Sequence, residues 1–284
     1  MGRLPSAAHD WALYADHRAR FSAALLSCAQ GRSGRLCILG AGKCNDVDLE
    51  RLLEAFSEIH LVDIDPSALA AATARQTPSV RARLRPHAPV DLAGLSNKRL
   101  SKWQRKPPTR AELSAHEAAT LASVTSRLPG PFDVVASACV LTQMSFSLRE
   151  ALGERHAMLA PIRGSVMVTH LNSVVALTAV GGSCLFCCDL VSSSAYPPLK
   201  DVTPDSDLDA VMRDIVAKGA SYFAANPKLI QDILRHDPLL AERAGEPEQL
   251  APWLWTGPHE RTYLVYALRF ERLSLADSAL DPPK

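Results

Sequence analysis

The stretch RLCILGAGKCNDVDLERLLEAFSEIHLVDID, residues 35–65, decides the fold. Leu36, Cys37, Ile38 and Leu39 form an apolar run, and Gly40, Ala41 and Gly42 make a tight turn. Residues 46–56 predict a helix, because Leu49, Leu52, Leu53 and Phe56 recur at helical spacing and Asn45, Asp46 and Asp48 suit its first turn. A second apolar run over 59–64 ends in Asp63, Ile64 and Asp65. Strand, glycine turn, helix, strand and acid make a parallel βαβ unit with a nucleotide-sized crevice at its carboxyl end. The glycines let the backbone bend sharply and approach a ligand, since no Cβ intervenes. The helix offers unpaired N–H groups to an anionic ligand group. Asp63 or Asp65, at the tip of the second strand, can accept hydrogen bonds from both hydroxyls of a ribose.

A dinucleotide site would place Gly or Ala at the sixth position, counting the first glycine of the turn as one. Asn45 stands there, so the turn leans away from NAD and FAD. Outward from this unit, residues 70–74 continue a helix, and residues 80–85 alternate Val80, Ala82, Leu84 against Arg81, Arg83, Arg85. That alternation predicts a half-exposed edge strand guarded by positive charge. Residues 96–110 carry six basic side chains around Trp103 and read as a solvated insertion loop. A helix over 111–127 follows, and residues 132–137 form a fourth strand that runs into Ala138, Cys139 and Gln143.

Three segments resemble motifs of the class I S-adenosylmethionine-dependent methyltransferases: the turn at 40–42, the acid at 63, and the run 132–143. The resemblance implies an α/β, Rossmann-like, doubly wound and mostly parallel seven-stranded sheet of order 3-2-1-4-5-7-6, with the last strand antiparallel and helices on both faces. It implies S-adenosylmethionine as cofactor. Gly40, Ala41 and Gly42 would meet its methionine end, Asp63 its ribose and Ile64 its adenine. His87, followed by Ala88, would meet the adenine amino group, and Ala138 and Cys139 would lie beside the transferable methyl, with Gln143 toward the substrate. The chain departs from the family at Ile38, where an acid is common, and at Cys44, the third glycine position; Asp46 would stand in for the acid by meeting the cofactor's ammonium.

The N-terminal segment, residues 1–34, shows a helical apolar pattern that includes Tyr14, Phe21 and Leu25, and is expected to close over the site as a lid. Tyr14 and His17 are its candidates for the substrate pocket, while the histidines at 9, 17, 156, 170 and 259 are candidate general bases. Ser147 and Glu150 form a capping-box pattern predicted to start a helix, which Pro161 interrupts. A further helix is expected to end at Gly181 and Gly182, before a fifth strand over 184–190. Helices are expected over 205–218 and 228–234, and residues 253–272 read as a closing hairpin. The methyltransferase-like domain is taken as 35–275 and the tail as 276–284.

The 284 residues are 47% hydrophobic and 21% charged with net charge +1, which suits a globular chain with a full core and gives no global pull toward nucleic acid or membrane. The most apolar long stretch, 162–180, contains Arg163, His170 and Asn172 and reads as a buried helix, not a membrane span. Cys184, Cys187 and Cys188 sit in a strand pattern that sends adjacent residues to opposite faces, so no metal site is expected from them. The seven cysteines read as free thiols in a reducing cytoplasm. The expected activity is methyl transfer to a small-molecule acceptor. Its rivals are an aminopropyl or aminobutyl transferase on the same cradle, and a methyltransferase-like fold that binds without catalysis.

Overall fold

A computed structural model of the chain describes residues 11–29, 33–257 and 261–275. In chain order the elements are α1 (Ala15–Ser27), β1 (Gly34–Leu39), α2 (Leu49–Leu52), β2 (Phe56–Val62), α3 (Pro66–Ala74), α4 (Pro78–Arg81) and β3 (Leu84–His87). There follow α5 (Asn97–Arg105), α6 (Arg110–Arg127), β4 (Phe132–Ala138), α7 (Val140–Leu152), α8 (Leu159–Leu177) and β5 (Thr178–Ser192). The chain then runs through α9 (Leu208–Ala217), α10 (Pro227–His236), α11 (Pro238–Ala241), β6 (Glu248–Gly257) and β7 (Arg261–Glu271).

The seven strands form one sheet of order β3-β2-β1-β4-β5-β7-β6. Pairing is parallel from β3 to β5, and β7 runs antiparallel to both β5 and β6. This is the order and direction of pairing expected from the sequence. Alternation sends Cys37, Leu39, Val62 and Val135 to one face, and Leu36, Ile38, Leu61 and Val134 to the other. All are buried, as a parallel sheet covered on both faces requires. The first face carries α5 to α10, with α8 packed along it as the expected buried helix; the second carries α1 to α4. Among the described residues no helix is long and apolar enough to cross a membrane.

Several local expectations fail for physical reasons. The helix expected over 46–56 is only α2, because Asp48 caps it, accepting from Arg51 N at 3.2 Å, and Phe56 already begins β2. The four apolar residues read there are nonetheless all buried. With one turn of helix starting nine residues beyond Gly40, the expected anion-binding helix end is absent from the glycine turn. The strand expected over 80–85 is instead α4, started by Pro78 at its first turn and the Thr77 cap, with β3 displaced to Leu84–His87. Its edge position stands, and Arg83 donates to Ser57 O at 2.8 Å instead of guarding an open ladder.

The expected loop over 96–110 is largely a helix, α5, capped by Ser96 and anchored by a buried Trp103. The Ser147–Glu150 pattern lies inside α7, whose start is set at Cys139. Pro161 falls in the first turn of α8, where its missing N–H costs no hydrogen bond, so it does not interrupt. Gly181 and Gly182 lie within β5, at a shift in its register with β4. The tail from Ala276, together with His9 and His259, lies outside the described residues.

Candidate active site

Gly40 N and Ala41 N both donate to Val62 O, at 2.9 and 3.0 Å, which folds the turn after β1 over the end of β2. Gly40 and Gly42 take φ of +77° and +50°. The Asp63 carboxylate then closes on the turn: Oδ2 accepts from Gly42 N at 2.7 Å and Oδ1 from Asp65 N at 2.9 Å. Each oxygen keeps lone-pair capacity for a further donor. Cys44 also has φ +50°, so the position read as a departure from glycine adopts the backbone that glycine favours.

The loop that follows is clamped from outside. Arg75 donates to Asn45 Oδ1 at 2.7 Å and to Cys44 O at 2.7 Å, and Arg18 of α1 donates to Asn45 O at 2.9 Å. Both guanidinium groups lie over the Trp11 ring, at 3.5 Å for Arg18 and 4.5 Å for Arg75. The N-terminal helix is thereby fixed against the turn it was expected to cover.

A cavity of about 690 Å³ opens from this turn. It is lined by Gly40, Ala41 and Gly42 at one end and by Ala138, Cys139 and Gln143 beyond, with Tyr14 and His17 from the N-terminal segment. Ile64 is 60% exposed beside Asp63. Asp63, Ile64, His87 and Ala88 are not among the residues lining the cavity. Ala88 packs against the second core layer.

His87 is engaged by its neighbours. Its Nε2 lies 2.8 Å from His60 Nδ1, and His60 Nε2 lies 2.8 Å from Glu58 Oε1. A carboxylate accepts only, so His60 Nε2 carries the proton, His60 Nδ1 accepts, and His87 Nε2 donates. That chain leaves Nδ1 as the acceptor nitrogen of His87.

His17 is fixed the same way. Trp253 Nε1, a donor only, bonds His17 Nδ1 at 3.1 Å, so the neutral ring carries its proton on Nε2. Burial, and then the neighbouring Arg18 charge, push its pKa down to about 4. His17 is therefore an uncharged hydrogen-bond donor at the cavity, not a general base. His170, bonded to Ser137 Oγ at 2.8 Å, is pushed to about 4 by burial, and neither it nor His156 lines the cavity.

Sequence reading missed two arrangements. Strand register sets Ala138 opposite Cys187, which brings the Cys139 and Cys187 sulfurs to 3.7 Å, with His17 completing a trio whose ligand atoms lie within 4.8 Å of one another. Cys139 has φ +50°, and its thiol is pushed up by the Cys187 contact and by burial. A metal on His17 Nε2 would have to displace the proton that the Trp253 bond holds there. The second arrangement is Asp189 on β5, whose Oδ1 accepts from the Thr142 hydroxyl at the cavity wall. An acid within the apolar run of residues 184–191 was the available signal.

Asp46 also lines the cavity, and burial raises its pKa to about 7, against smaller lowering by its own backbone N–H, Arg75 and Arg18. The folded value stands above the unfolded one of 3.8, so between these pH values the folded chain holds a proton the unfolded chain has lost. Stability therefore falls as pH rises through that window, and the cost is complete above pH ~7. Asp46→Asn is expected to raise the stability of the free protein at pH 8 by about 1–3 kcal/mol and to change it little at pH 4, measured by urea denaturation at both pH values.

The strand order is that of the Rossmann-like, methyltransferase-type fold, and the cavity opens at the carboxyl ends of β1, β4 and β5. No protein-family model matches the sequence, and no curated protein matches it. Among solved structures the chain is similar to the N-methyltransferase NodS from Bradyrhizobium japonicum WM9, with 14% identity, covering 93% of this chain and 98% of that one, at TM-score 0.43. It is also similar to magnesium protoporphyrin IX methyltransferase (ChlM) from Synechocystis PCC 6803, with 12% identity, covering 96% and 90%, at TM-score 0.46. For the YcgJ protein from Bacillus subtilis the identity is 8%, the coverage 90% and 99%, and the TM-score 0.48. These likenesses are distant, and the functional reading rests on the site itself.

Proposed function

We propose that the protein is an S-adenosylmethionine-dependent methyltransferase acting on a small-molecule acceptor. The observation that carries this reading is the 2.7 Å bond from Gly42 N to Asp63: turn and carboxylate meet on one side of the sheet, beside a cavity that reaches Ala138 and Cys139. The residues present fit the cofactor. The turn at 40–42 receives its methionine end, and the Asp46 carboxylate, raised by burial, gains a counter-ion in its ammonium. The spare lone pairs of Asp63 take the ribose hydroxyls, the exposed Ile64 lies against the adenine, and His87 Nδ1 with the neighbouring Ala88 faces the adenine amino group.

When bound, the cofactor would supply an electrophilic sulfonium methyl group. The protein's own share is alignment and exclusion of water. Ala138 and Cys139 form the floor, with Gln143 and Tyr14 toward the acceptor, and His17 Nε2 donates a hydrogen bond inward. Of the N-terminal segment 1–34, the described residues 11–29 act as the lid over this space, pinned by Arg18 and Trp11, while residues 35–275 form the methyltransferase domain. All seven cysteines are free thiols, which suits a cytoplasmic location.

Methyl-labelled S-adenosylmethionine, incubated with pools of amines, alcohols and thiols, is expected to label a small molecule; no label in any pool would count against catalysis. Asp63→Ala is expected to weaken S-adenosylhomocysteine binding by about 1.5–3 kcal/mol, roughly 10- to 150-fold, through lost charge-assisted hydrogen bonds. Unchanged affinity by calorimetry would assign the ribose to another group.

A further inference from the structure

Asp189 is the least expected group in the cavity. It stands on β5, two residues past the Cys187 that faces Ala138, so it lies beyond the expected methyl position on the acceptor side. Among the described residues its side chain accepts from the Thr142 hydroxyl, which can donate a single hydrogen bond and carries no charge. Among the described residues no Lys or Arg pairs with it. The groups that feel its charge are Cys139, Cys187, Cys188, Tyr263 and Tyr266, all neutral at pH 7. Asp46 differs, since Arg75 and Arg18 both offset its charge. A half-buried carboxylate without a protein counter-ion is costly to hold unless a ligand brings the cation. Burial accordingly lifts the Asp189 pKa to about 7.

Aromatic rings share the cavity wall with it, together with Arg261 and with Arg149, which lies over the Phe146 ring at 5.0 Å. Phe146 meets Tyr222 edge-on at 4.9 Å, and Trp255 stacks on Tyr263 at 4.9 Å. Tyr222 is held rigid, donating its hydroxyl to Ser192 Oγ at 2.6 Å and accepting from Ser192 N at 3.1 Å. Ring faces attract a cation and strip it of water at little cost. Carboxylate and rings together are the chemistry of an ammonium site.

We infer that the acceptor is an amine, held as its ammonium by Asp189 beside Tyr222 and Tyr263. The inference deepens the methyltransferase reading and rests on it for the word acceptor. An ammonium has no lone pair to offer. Transfer of one N–H proton to Asp189 breaks the N–H bond, forms an O–H bond on the carboxylate, and leaves a neutral amine beside a neutral acid. The charge balance is unchanged, and the nitrogen is then nucleophilic.

The test is calorimetry on the full chain with benzylamine, phenethylamine and 1,4-diaminobutane, each against its hydroxyl counterpart, for the wild type and Asp189→Asn. At least one amine is expected to bind ten times or more tighter than its alcohol. The difference is expected to shrink below twofold in Asp189→Asn, whose asparagine can still accept from Thr142. Equal binding of every pair, no binding of any amine, or a preference that survives in the variant would overturn the inference. S-adenosylhomocysteine, titrated in parallel, separates the two readings. If it binds and the amines are not preferred, only the amine assignment falls; if it fails to bind while the amine preference holds, the ammonium site stands and methyl transfer falls.

Discussion

Gly40→Ala is expected to destabilise the protein by about 2–5 kcal/mol and to remove cofactor affinity with it. Two costs add. The residue has φ +77°, which an L side chain resists. A β-carbon built there would lie 2.6 Å from Val140 Cβ and 2.9 Å from its Cγ2, far inside van der Waals contact. Val140 opens α7 directly after the strained Cys139, so the helix cannot retreat without moving the cavity floor. Gly42→Ala is the control: its φ is +50°, but the nearest atom to an added β-carbon is Asp63 Oδ2 at 4.0 Å. It pays the backbone cost of about 1–2 kcal/mol and little more. Urea denaturation of both variants checks the ordering, and equal stability losses would show that contact with Val140 does not shape the turn.

Trp103→Ala is expected to cost about 3–5 kcal/mol, the loss of a fully packed indole and the cavity left behind. Trp103 is 3% exposed, meets His116 edge-on at 5.1 Å, and belongs to the larger core layer. His156 Nε2 donates to its carbonyl at 3.1 Å, which ties α5 to the loop between α7 and α8. The exposed Lys98 on the same helix serves as comparison, and Lys98→Ala should leave the denaturation midpoint almost unmoved. Were residues 96–110 the solvated loop that their charge suggests, the two substitutions would behave alike.

That contrast shows where sequence reading held and where it stopped. The βαβ unit was legible because its signals are local: an apolar strand, glycines needing positive φ, and an acid one strand later. The basic segment misled because charge count describes the exposed face of α5, whereas its place in the fold is decided by the one buried tryptophan. Likewise the arginine alternation at 81–85 mimicked a strand, although Pro78 had already committed the backbone to a helical turn. In the site, Gly40, Gly42, Cys139 and His17 were reachable from motif and position. Asp189, the Cys139–Cys187 contact and the aromatic wall were not, because they depend on β5 register and on which side chains of distant segments converge. The proton on His17 Nε2 could come only from its bond to Trp253, 236 residues away in sequence.

The most direct measurement is a calorimetric titration of the purified full chain with S-adenosylhomocysteine at pH 7.5. One molecule per chain is expected, with a dissociation constant of roughly 1–100 µM, about 5.5–8 kcal/mol of binding free energy. No heat and no thermal stabilisation at millimolar ligand would contradict the claim that the glycine turn, Asp63 and the cavity beside them form an S-adenosylmethionine site.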